Sequence, residues 1–341
     1  MTPDLSLRLD RTGGGALRLP DDFVALPTHR LERYRLAPRR GLKIGVIRNA
    51  KARRNIDRAG PHATLDADCA MPLSYDELHR VLATFARDGI SALVINGGDG
   101  TVRDVLTAAA RYFHDGFPRI ALVPSGKTNA LGYDLNIPKG WTEQAAIEAL
   151  RAGRVEQRAP LEIWRSGARH AEQRGFIFGA GAFVRATALA QDTHRLGAFN
   201  GLAVGLSVAG AIAQTIFAGG DNVWRRGTRM RIAPAHANAT DGARYLLFGS
   251  TLHRLPLDIR PFGRPRAGLK TLTIDAPPAR LARALPSVLA GYDLPPGGGY
   301  RRDDGEAFAL AIDGDFILDG ETFAGGDMIL RHGAPIRFAV P

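Results

Sequence analysis

The stretch Ser91-Ala92-Leu93-Val94-Ile95-Asn96-Gly97-Gly98-Asp99-Gly100-Thr101 decides the fold of this chain. Ala92 to Ile95 is a short apolar run ending in β-branched residues, the pattern of a buried strand. The run stops on Gly97, Gly98, Asp99 and Gly100. From Thr101 a helical period begins, with Val102, Val105, Leu106 and Ala109 on one face. A strand that breaks on glycines into a helix N-terminus suits a phosphate. The glycines let backbone N–H groups approach, and the helix end favours negative charge. A lone carboxylate at Asp99 would repel phosphate, so Asp99 is expected to organise a metal or the loop itself. A tight turn capped by an aspartate is the plainer reading, and glycine at three of four positions argues against it.

The flanking sequence repeats the theme. Upstream, Lys43 to Ile47 reads as a first strand, followed by the basic loop Arg48-Asn49-Ala50-Lys51-Ala52-Arg53-Arg54-Asn55. Ser74 and Glu77 form a capping box ahead of Leu78, Val81, Leu82 and Phe85, and Gly89 closes that helix. Downstream, a helix over about 101–113 leads to a strand at Ile120 to Val123. This strand opens into Pro124-Ser125-Gly126-Lys127-Thr128-Asn129, and a helix over 142–152 ends at Gly153. Strands alternating with helices imply a parallel sheet covered on both faces, with ligands at the carboxyl ends of the strands. The loops 48–55, 96–101 and 124–129 all lie at such ends.

Beyond about residue 155 short alternating runs dominate: Gly175 to Phe178, Met230 to Ile232, Tyr245 to Phe248 and Leu269 to Ile274. They predict a mostly antiparallel, β-sandwich-like domain. It would carry an inserted apolar helix over 196–218, a second helix near 279–290, and closing strands at Phe308 to Ile312, Phe316 to Leu318 and Met328 to Val340. The expected organisation is an N-terminal extension over 1–40 without clear periodicity, an α/β nucleotide-binding domain over 41–155, and a β-rich domain over 156–341.

The 341 residues are 45% hydrophobic and 23% charged, ordinary globular values at a length that suits two domains. The formal net charge of +11 and a pI near 10.3 favour acidic partners: nucleotides, anionic lipid headgroups or nucleic acid. Aromatic residues make up only 7%, and no recognition-helix or stacking pattern stands out, so no nucleic-acid partner is expected. Cys69 is the single cysteine, which excludes a disulfide framework and a cysteine-based zinc site. Met1 to Asp10 has no apolar run of the signal-peptide kind, so a cytoplasmic location is expected.

Leu196 to Gly220 holds no charged residue and is nearly long enough to span a bilayer. Its Ala, Gly and Val content, with Asn200, Ser207, Gln214 and Thr215, favours a buried helix or the wall of a greasy cleft. Trp224 beside Arg225, Arg226, Arg229 and Arg231 fits contact with a membrane surface, and equally a solvated basic strand.

Gly126-Lys127-Thr128 invites a P-loop reading. That pattern needs a glycine where this chain has Ala121, inside a strand, so the reading fails. Lys127 still reads as a charge directed at phosphate.

Taken together, Gly97-Gly98-Asp99-Gly100-Thr101 followed by Pro124-x-Gly126-x-x-Asn129-Ala130-Leu131 resembles the diacylglycerol kinase catalytic family, which includes bacterial lipid kinases, sphingosine kinases and ceramide kinases. Arg48-Asn49-Ala50-Lys51 resembles the family's Asn-Pro-Lys-Ser-Gly element, with Ala50 in place of proline. Asp319-Gly320-Glu321 matches its Asp-Gly-Glu element. The resemblance implies an N-terminal domain like that of NAD kinase and phosphofructokinase, a lipid-binding β domain over 156–341, an active site in the cleft between the two, and transfer of the ATP γ-phosphoryl group to a lipid hydroxyl with Mg2+. It implies that Asp99 orders the phosphate loop and metal. Gly97, Gly98, Gly100, Thr101, Gly126, Lys127, Thr128 and Asn129 would hold the triphosphate, flanked by Asn49 and Lys51, and Glu321 would act as general base. ATP, a lipid acceptor of the diacylglycerol or sphingoid and ceramide type, and the anionic inner face of the membrane are the expected partners.

A second Asp-Gly-Glu, at Asp304-Gly305-Glu306, reads as an exposed loop. The chain departs from the family pattern in four places. Lys127 stands where the family has threonine. Ala130 stands where it often has aspartate. Glu162 replaces an aspartate that opens the β domain in many bacterial relatives. Ala267-Gly268 replaces an Asp-Gly element that binds a structural metal in some of them. Two other classes compete. NAD kinase would show a second glycine-phenylalanine element and a Thr-rich loop, neither found here. A non-catalytic, basic lipid-binding protein on the same fold is favoured by Lys127 and Pro160, and opposed by Asp99, Asn129 and Glu321.

Overall fold

The computed structural model describes residues 34–35, 41–50, 67–114, 116–195, 225–235 and 238–341. The extension 1–33, Lys51 with the rest of the basic loop, the charge-free segment 196–220 and Trp224 lie outside the described residues.

The stretch Ala92–Gly97 is strand β4, buried along its whole length. Its parallel neighbours are β2 (Ile44–Arg48) and β5 (Arg119–Pro124), and β3 (Asp68–Ala70) lies parallel outside β2. Burial on both faces requires helical cover. Helix α1 (Tyr75–Arg87) supplies Leu78, Leu82 and Phe85, and helix α2 (Asp99–Ala109) supplies Val102, Val105 and Leu106. On the other face α4 (Glu143–Ala152) packs Ala146, Ile147 and Leu150 on Ile44, Val46, Val94 and Ala121. The caps follow the sequence. Ser74 Oγ accepts from the Glu77 N–H at 3.2 Å, Thr142 Oγ1 accepts from Ala145 N–H at 3.2 Å, and Gly153 closes α4 at φ 74°.

Among the described residues seven strands form this sheet, in the order β1-β6-β16-β5-β4-β2-β3, where β1 is Tyr34–Arg35. Here the structure differs from the expected division of the chain. β6 (Arg154–Arg158) and β16 (Ile336–Ala339) are both members of this first sheet, with β16 parallel to β5 and antiparallel to β6. The last residues therefore leave the β domain and return to the α/β domain. Two chain crossings join the domains, and they run side by side: Gly333 N–H donates to Pro160 O at 2.8 Å.

The second sheet is antiparallel and barrel-like, in the order β13-β12-β11-β10-β14-β15-β7-β8, with β9 pairing β11 and β14. These strands are β7 (Leu161–Trp164), β8 (Gln173–Gly175), β9 (Ile177–Gly181), β10 (Thr228–Pro234), β11 (Thr240–Ser250), β12 (Leu269–Asp275), β13 (Tyr300–Gly305), β14 (Ala307–Leu318) and β15 (Glu321–His332). Helix α5 (Ala182–Arg195) follows β9, and α6 (Leu281–Ala290) follows β12. The interior is filled by Phe178, Leu247, Phe308, Leu310, Phe316, Met328 and Leu330. The domains share apolar packing, for Phe176 and Phe338 meet with ring centroids 6.3 Å apart.

A buried ionic group fixes the domains' relative placement. Arg158 on β6 donates to the Asp134 carboxylate and to Glu156 at 2.9 Å, while Arg254 N–H from the barrel donates to Asp134 Oδ1 at 2.8 Å. Asp134 ends the short helix α3 (Ala130–Asp134), which follows the loop 124–129.

Candidate active site

The two glycine loops touch backbone to backbone. Ser125 N–H donates to Gly97 O at 3.1 Å, and a Cβ added at Gly98 would sit 2.9 Å from Gly126 Cα. No side chain fits there, so Gly98 and Gly126 are required by close approach and not by their own φ. Gly126→Ala should therefore push the loops apart. Nucleotide affinity is expected to fall by about tenfold or more, with a loss of about 1–3 kcal/mol in stability. Equilibrium nucleotide binding and urea unfolding of the variant check both.

Side chains lock this contact. Asn129, at φ 50°, brackets Gly126: its Oδ1 accepts from Gly126 N–H at 2.9 Å and its Nδ2 donates to Gly126 O at 2.8 Å. Asp99, at the start of α2, reaches across to α3 and accepts from Ala130 N–H at 3.0 Å and Leu131 N–H at 3.4 Å. Burial pushes its carboxyl up, against the pull of these backbone donors. Asn49 Nδ2 donates to Thr101 Oγ1 at 2.8 Å, and Asn49 N–H to Asn96 O at 2.9 Å. The first, second and third polar loops thus converge at the carboxyl edge of the sheet. Lys127 and Thr128 are exposed on that edge. Lys51 lies outside the described residues.

Sequence reasoning gave no role of their own to four residues on this side. Arg48 makes a bidentate ion pair with Glu143 at 2.8 and 2.7 Å, and Asn96 Nδ2 donates to the same carboxylate at 2.7 Å. This cluster fixes the end of β4 against α4, and only a contact across 95 residues reveals it. Ser125 Oγ is buried beside the loop without a hydrogen-bond partner, a hydroxyl suited to a phosphate oxygen.

From the other domain, Asp319-Gly320 forms the two-residue turn between β14 and β15. Both residues have positive φ, 47° and 83°, as a type I′ hairpin demands. The Asp319 carboxylate accepts from the N–H groups of Phe176 (3.1 Å) and Ile177 (2.9 Å), pinning the turn to β9. Glu321 is left outward, with 64% of its side chain exposed.

Helix α2 links the turn to the phosphate loop. Arg103, 5% exposed, donates to Leu318 O at 3.2 Å, lies 5.3 Å over the Phe323 ring and stands 3.8 Å from Glu321 Oε2. One turn on, Thr107 Oγ1 accepts from Arg174 N–H at 2.9 Å. One short helix therefore begins at the phosphate loop and rests on the turn that carries Glu321. Nothing local in the sequence singles out Arg103, whose chain neighbour Asp104 accepts from its Nη2 at 2.7 Å.

Burial and the charge of Asp99 raise the Asp319 carboxyl to about 7 from 3.8. A carboxyl with a raised folded-state pKa binds protons more tightly when folded. Its contribution therefore falls as pH rises from about 4 to about 7 and is flat above. Thermal melts over that range should show a decline in Tm that Asp319→Asn reduces. An unchanged slope in a folded Asp319→Asn protein would remove this assignment.

The repulsion between Asp99 and Asp319 is of the kind a divalent cation relieves. Among the described residues no group of three His, Cys, Asp or Glu side chains forms a cage. Asp99 and Asp319 are the carboxylates the site offers, and a cation such as Mg2+ binds through one or two carboxylates together with substrate phosphates.

Two of the departures from the family pattern, at Glu162 and at Ala267-Gly268, have structural accounts. Glu162 is buried and accepts from Arg174 Nε, Trp164 Nε1 and Arg331 Nε, each at 2.9 Å. Burial pushes its carboxyl up, and Arg174 and Arg331 more than offset this. All its capacity goes to cross-strand pairing, so it stands as a structural ion pair and not as a relay. At Ala267-Gly268, Lys270 Nζ donates to the carbonyls of Arg266 (2.9 Å) and Gly268 (3.0 Å). An ammonium takes the carbonyls there. Asp304-Gly305-Glu306 is not an exposed loop. Asp304 and Gly305 belong to β13 and pair with Lys270 and Leu269, and Glu306 is half-buried.

The glycine loops lie at the carboxyl edge of a parallel sheet, and helix α2 runs from them to the barrel turn that carries Glu321. Residues 49–162 match the diacylglycerol kinase catalytic domain. Over 134 residues the chain is 31% identical to "Probable lipid kinase YegS-like" of Xanthomonas euvesicatoria pv. vesicatoria (strain 85-10). That match covers 37% of this chain, and the chain spans 41% of the relative's length. Through this segment the chain resembles the diacylglycerol kinase catalytic-domain family. The fold extends the likeness. The crystal structure of a diacylglycerol kinase from Bacillus anthracis str. Sterne superposes with a TM-score of 0.58 at 12% identity, covering 88% of this chain and 97% of that one. A second crystal structure from the same strain reaches 0.62 at 13% identity with the same coverage.

Proposed function

We propose that this protein is a peripheral, Mg2+- and ATP-dependent lipid kinase acting on a lipid hydroxyl of the diacylglycerol or sphingoid and ceramide type. The observation that carries this reading is the placement of Glu321, exposed on a pinned turn and tied through Arg103 to the helix that starts at the glycine loop. Phosphoryl transfer asks for positioning and charge neutralisation more than covalent chemistry. The backbone of 97–101, the loop 124–129 and the Lys127 charge hold the triphosphate, with Asn49 and Lys51 at its flank. Asp99, with Asp319 behind it, is the side chain that would hold the cation, whose charge offsets that of the β- and γ-phosphates. Glu321 takes the proton from the acceptor hydroxyl as its oxygen bonds the γ-phosphorus and the bond to ADP breaks. Arg103 positions Glu321 and screens its charge. No helix among the described residues is long and apolar enough to cross a membrane.

The test is transfer of radiolabelled γ-phosphate from Mg-ATP to diacylglycerol, monoacylglycerol, sphingosine and ceramide in mixed micelles, with Asp99→Ala as control. A labelled lipid with the wild type alone supports the kinase and names its acceptor class. Intact ATP binding with no labelled lipid favours a non-catalytic lipid binder.

A further inference from the structure

Helix α6, with the sequence Leu-Ala-Arg-Ala-Leu-Pro-Ser-Val-Leu-Ala, is apolar on two faces. Leu281, Ala284 and Val288 face the barrel. Ala282, Pro286, Leu289 and Ala290, at i, i+4, i+7 and i+8, are exposed, and Arg283 is the only charge in the helix. A surface helix ordinarily turns charged and polar residues outward. Beside it stand Tyr292, 70% exposed, and Leu257, 88% exposed. Leu257 adopts φ 61°, a left-handed conformation that disfavours a residue with a Cβ. Nothing inside the fold rewards that strain, because the side chain is in solvent.

The patch is held in shape. Arg260 N–H donates to Leu289 O at 2.7 Å, and the Arg302 guanidinium donates to Pro261 O at 2.7 Å and Tyr292 O at 2.7 Å. These bonds clamp the loop bearing Leu257 onto the end of α6. That loop leaves β11 at Ser250, which pairs with Ile177, the residue that binds the Asp319 turn. It therefore springs from the barrel end that carries Glu321.

The rim is basic. Arg260, Arg264, Arg280 and Arg283 are exposed around the apolar residues, against Asp258, itself paired with Arg260 at 3.0 Å, and Asp293. An apolar centre inside an arginine rim complements a bilayer with anionic headgroups, where the side chains enter the acyl boundary and the guanidinium groups meet phosphates. The other exposed apolar run, Met71 to Tyr75, abuts Asp76 and Glu77 and is the poorer match.

We infer that Leu257, Leu289 and Tyr292, rimmed by Arg260, Arg264 and Arg283, form the face by which this protein docks on an anionic bilayer. As a route to the acceptor, this face rests on the lipid-kinase reading. The test is co-sedimentation of the full chain with vesicles of phosphatidylcholine alone or with added phosphatidylglycerol. The wild type should bind the anionic vesicles and release with salt. Leu257→Asp/Leu289→Asp/Tyr292→Asp, with unchanged Tm, should bind about tenfold more weakly or worse. Arg260→Glu/Arg264→Glu, which leaves the packed residues alone, should lose the preference for phosphatidylglycerol. Wild-type binding by either folded variant would overturn the inference. So would a dimer that the triple variant splits in analytical ultracentrifugation, which would assign the face to a second copy. Phosphorylation of a short-chain acceptor below its micellar concentration separates the two readings. Its retention in a triple variant that no longer binds vesicles upholds both. If no acceptor is phosphorylated by any form while vesicle binding still depends on the patch, the kinase reading falls and the docking face stands.

Discussion

Glu321→Gln is expected to lower kcat for lipid phosphorylation by about 10²–10⁴, the usual contribution of a positioned general base. The substitution keeps size and removes the capacity to take a proton. Its structural cost should be small, because the side chain is 64% exposed and the turn is held by Asp319, not by Glu321. Tm and ATP affinity should therefore stay at wild-type values while kcat collapses. Glu306→Gln is the matched control. Glu306 Oε2 is buried without a partner, and burial pushes that carboxyl up, so its charge is a liability above its own pKa. The glutamine variant should keep full turnover and gain slightly in stability near neutral pH. Full activity in a folded Glu321→Gln protein would end the general-base assignment. Arg103→Ala bears on the same point from the other side. Arg103 touches Leu318 O and the Phe323 ring, so its loss should displace the turn and lower kcat with little change in KM for ATP.

Why the glycine loop could be read from sequence and Arg103 could not follows from range. The turn at 97–101 is dictated by neighbours in the chain: an apolar strand, glycines, then a helical period. The same local logic gave the cap at Ser74 and the stop at Gly153. The Asp319-Gly320 pair was picked out only through the family resemblance, although a type I′ hairpin asks for those residue types. Arg103 acquires its role from a carbonyl 215 residues away. Glu162 shows the converse: its residue type suggested chemistry, but Arg174 and Arg331 arrive from two other strands and consume it. The return of Ile336–Ala339 to the first sheet was hidden for a related reason. Alternation marks a strand but not the sheet it joins, and β16 pairs with β6, almost 180 residues earlier. What is local in the site was therefore visible, and what joins the two domains was not.

Asp99→Ala is expected to have the larger effect on nucleotide use, because it removes the only described side-chain link from the glycine loop to α3. The link spans 31 residues in sequence and satisfies Ala130 N–H and Leu131 N–H, two of the donors a helix start leaves open. Asn129, at the cap position, spends its own amide on Gly126 and makes no cap bond to α3. Without Asp99 those donors are left unsatisfied, at a cost of about 1–3 kcal/mol, and the loops at 97–101 and 124–129 lose their shared register. A misplacement of about 1 Å between phosphate-binding elements costs on the order of 10² in rate, and loss of a ligand for the cation adds to it. We therefore expect kcat/KM for ATP to fall by about 10³ or more, with Tm lowered but folding intact. Asp99→Asn separates the two contributions. The amide can still accept one backbone hydrogen bond, so the loops keep most of their order, but the charge is gone. If Asp99 acts by ordering the loop, the asparagine variant should recover much of the nucleotide affinity that alanine loses. If its charge toward the cation dominates, the two variants should be equally inactive, and raising Mg2+ should rescue neither. An Asp99→Ala protein with wild-type Tm, ATP affinity and turnover would remove both roles.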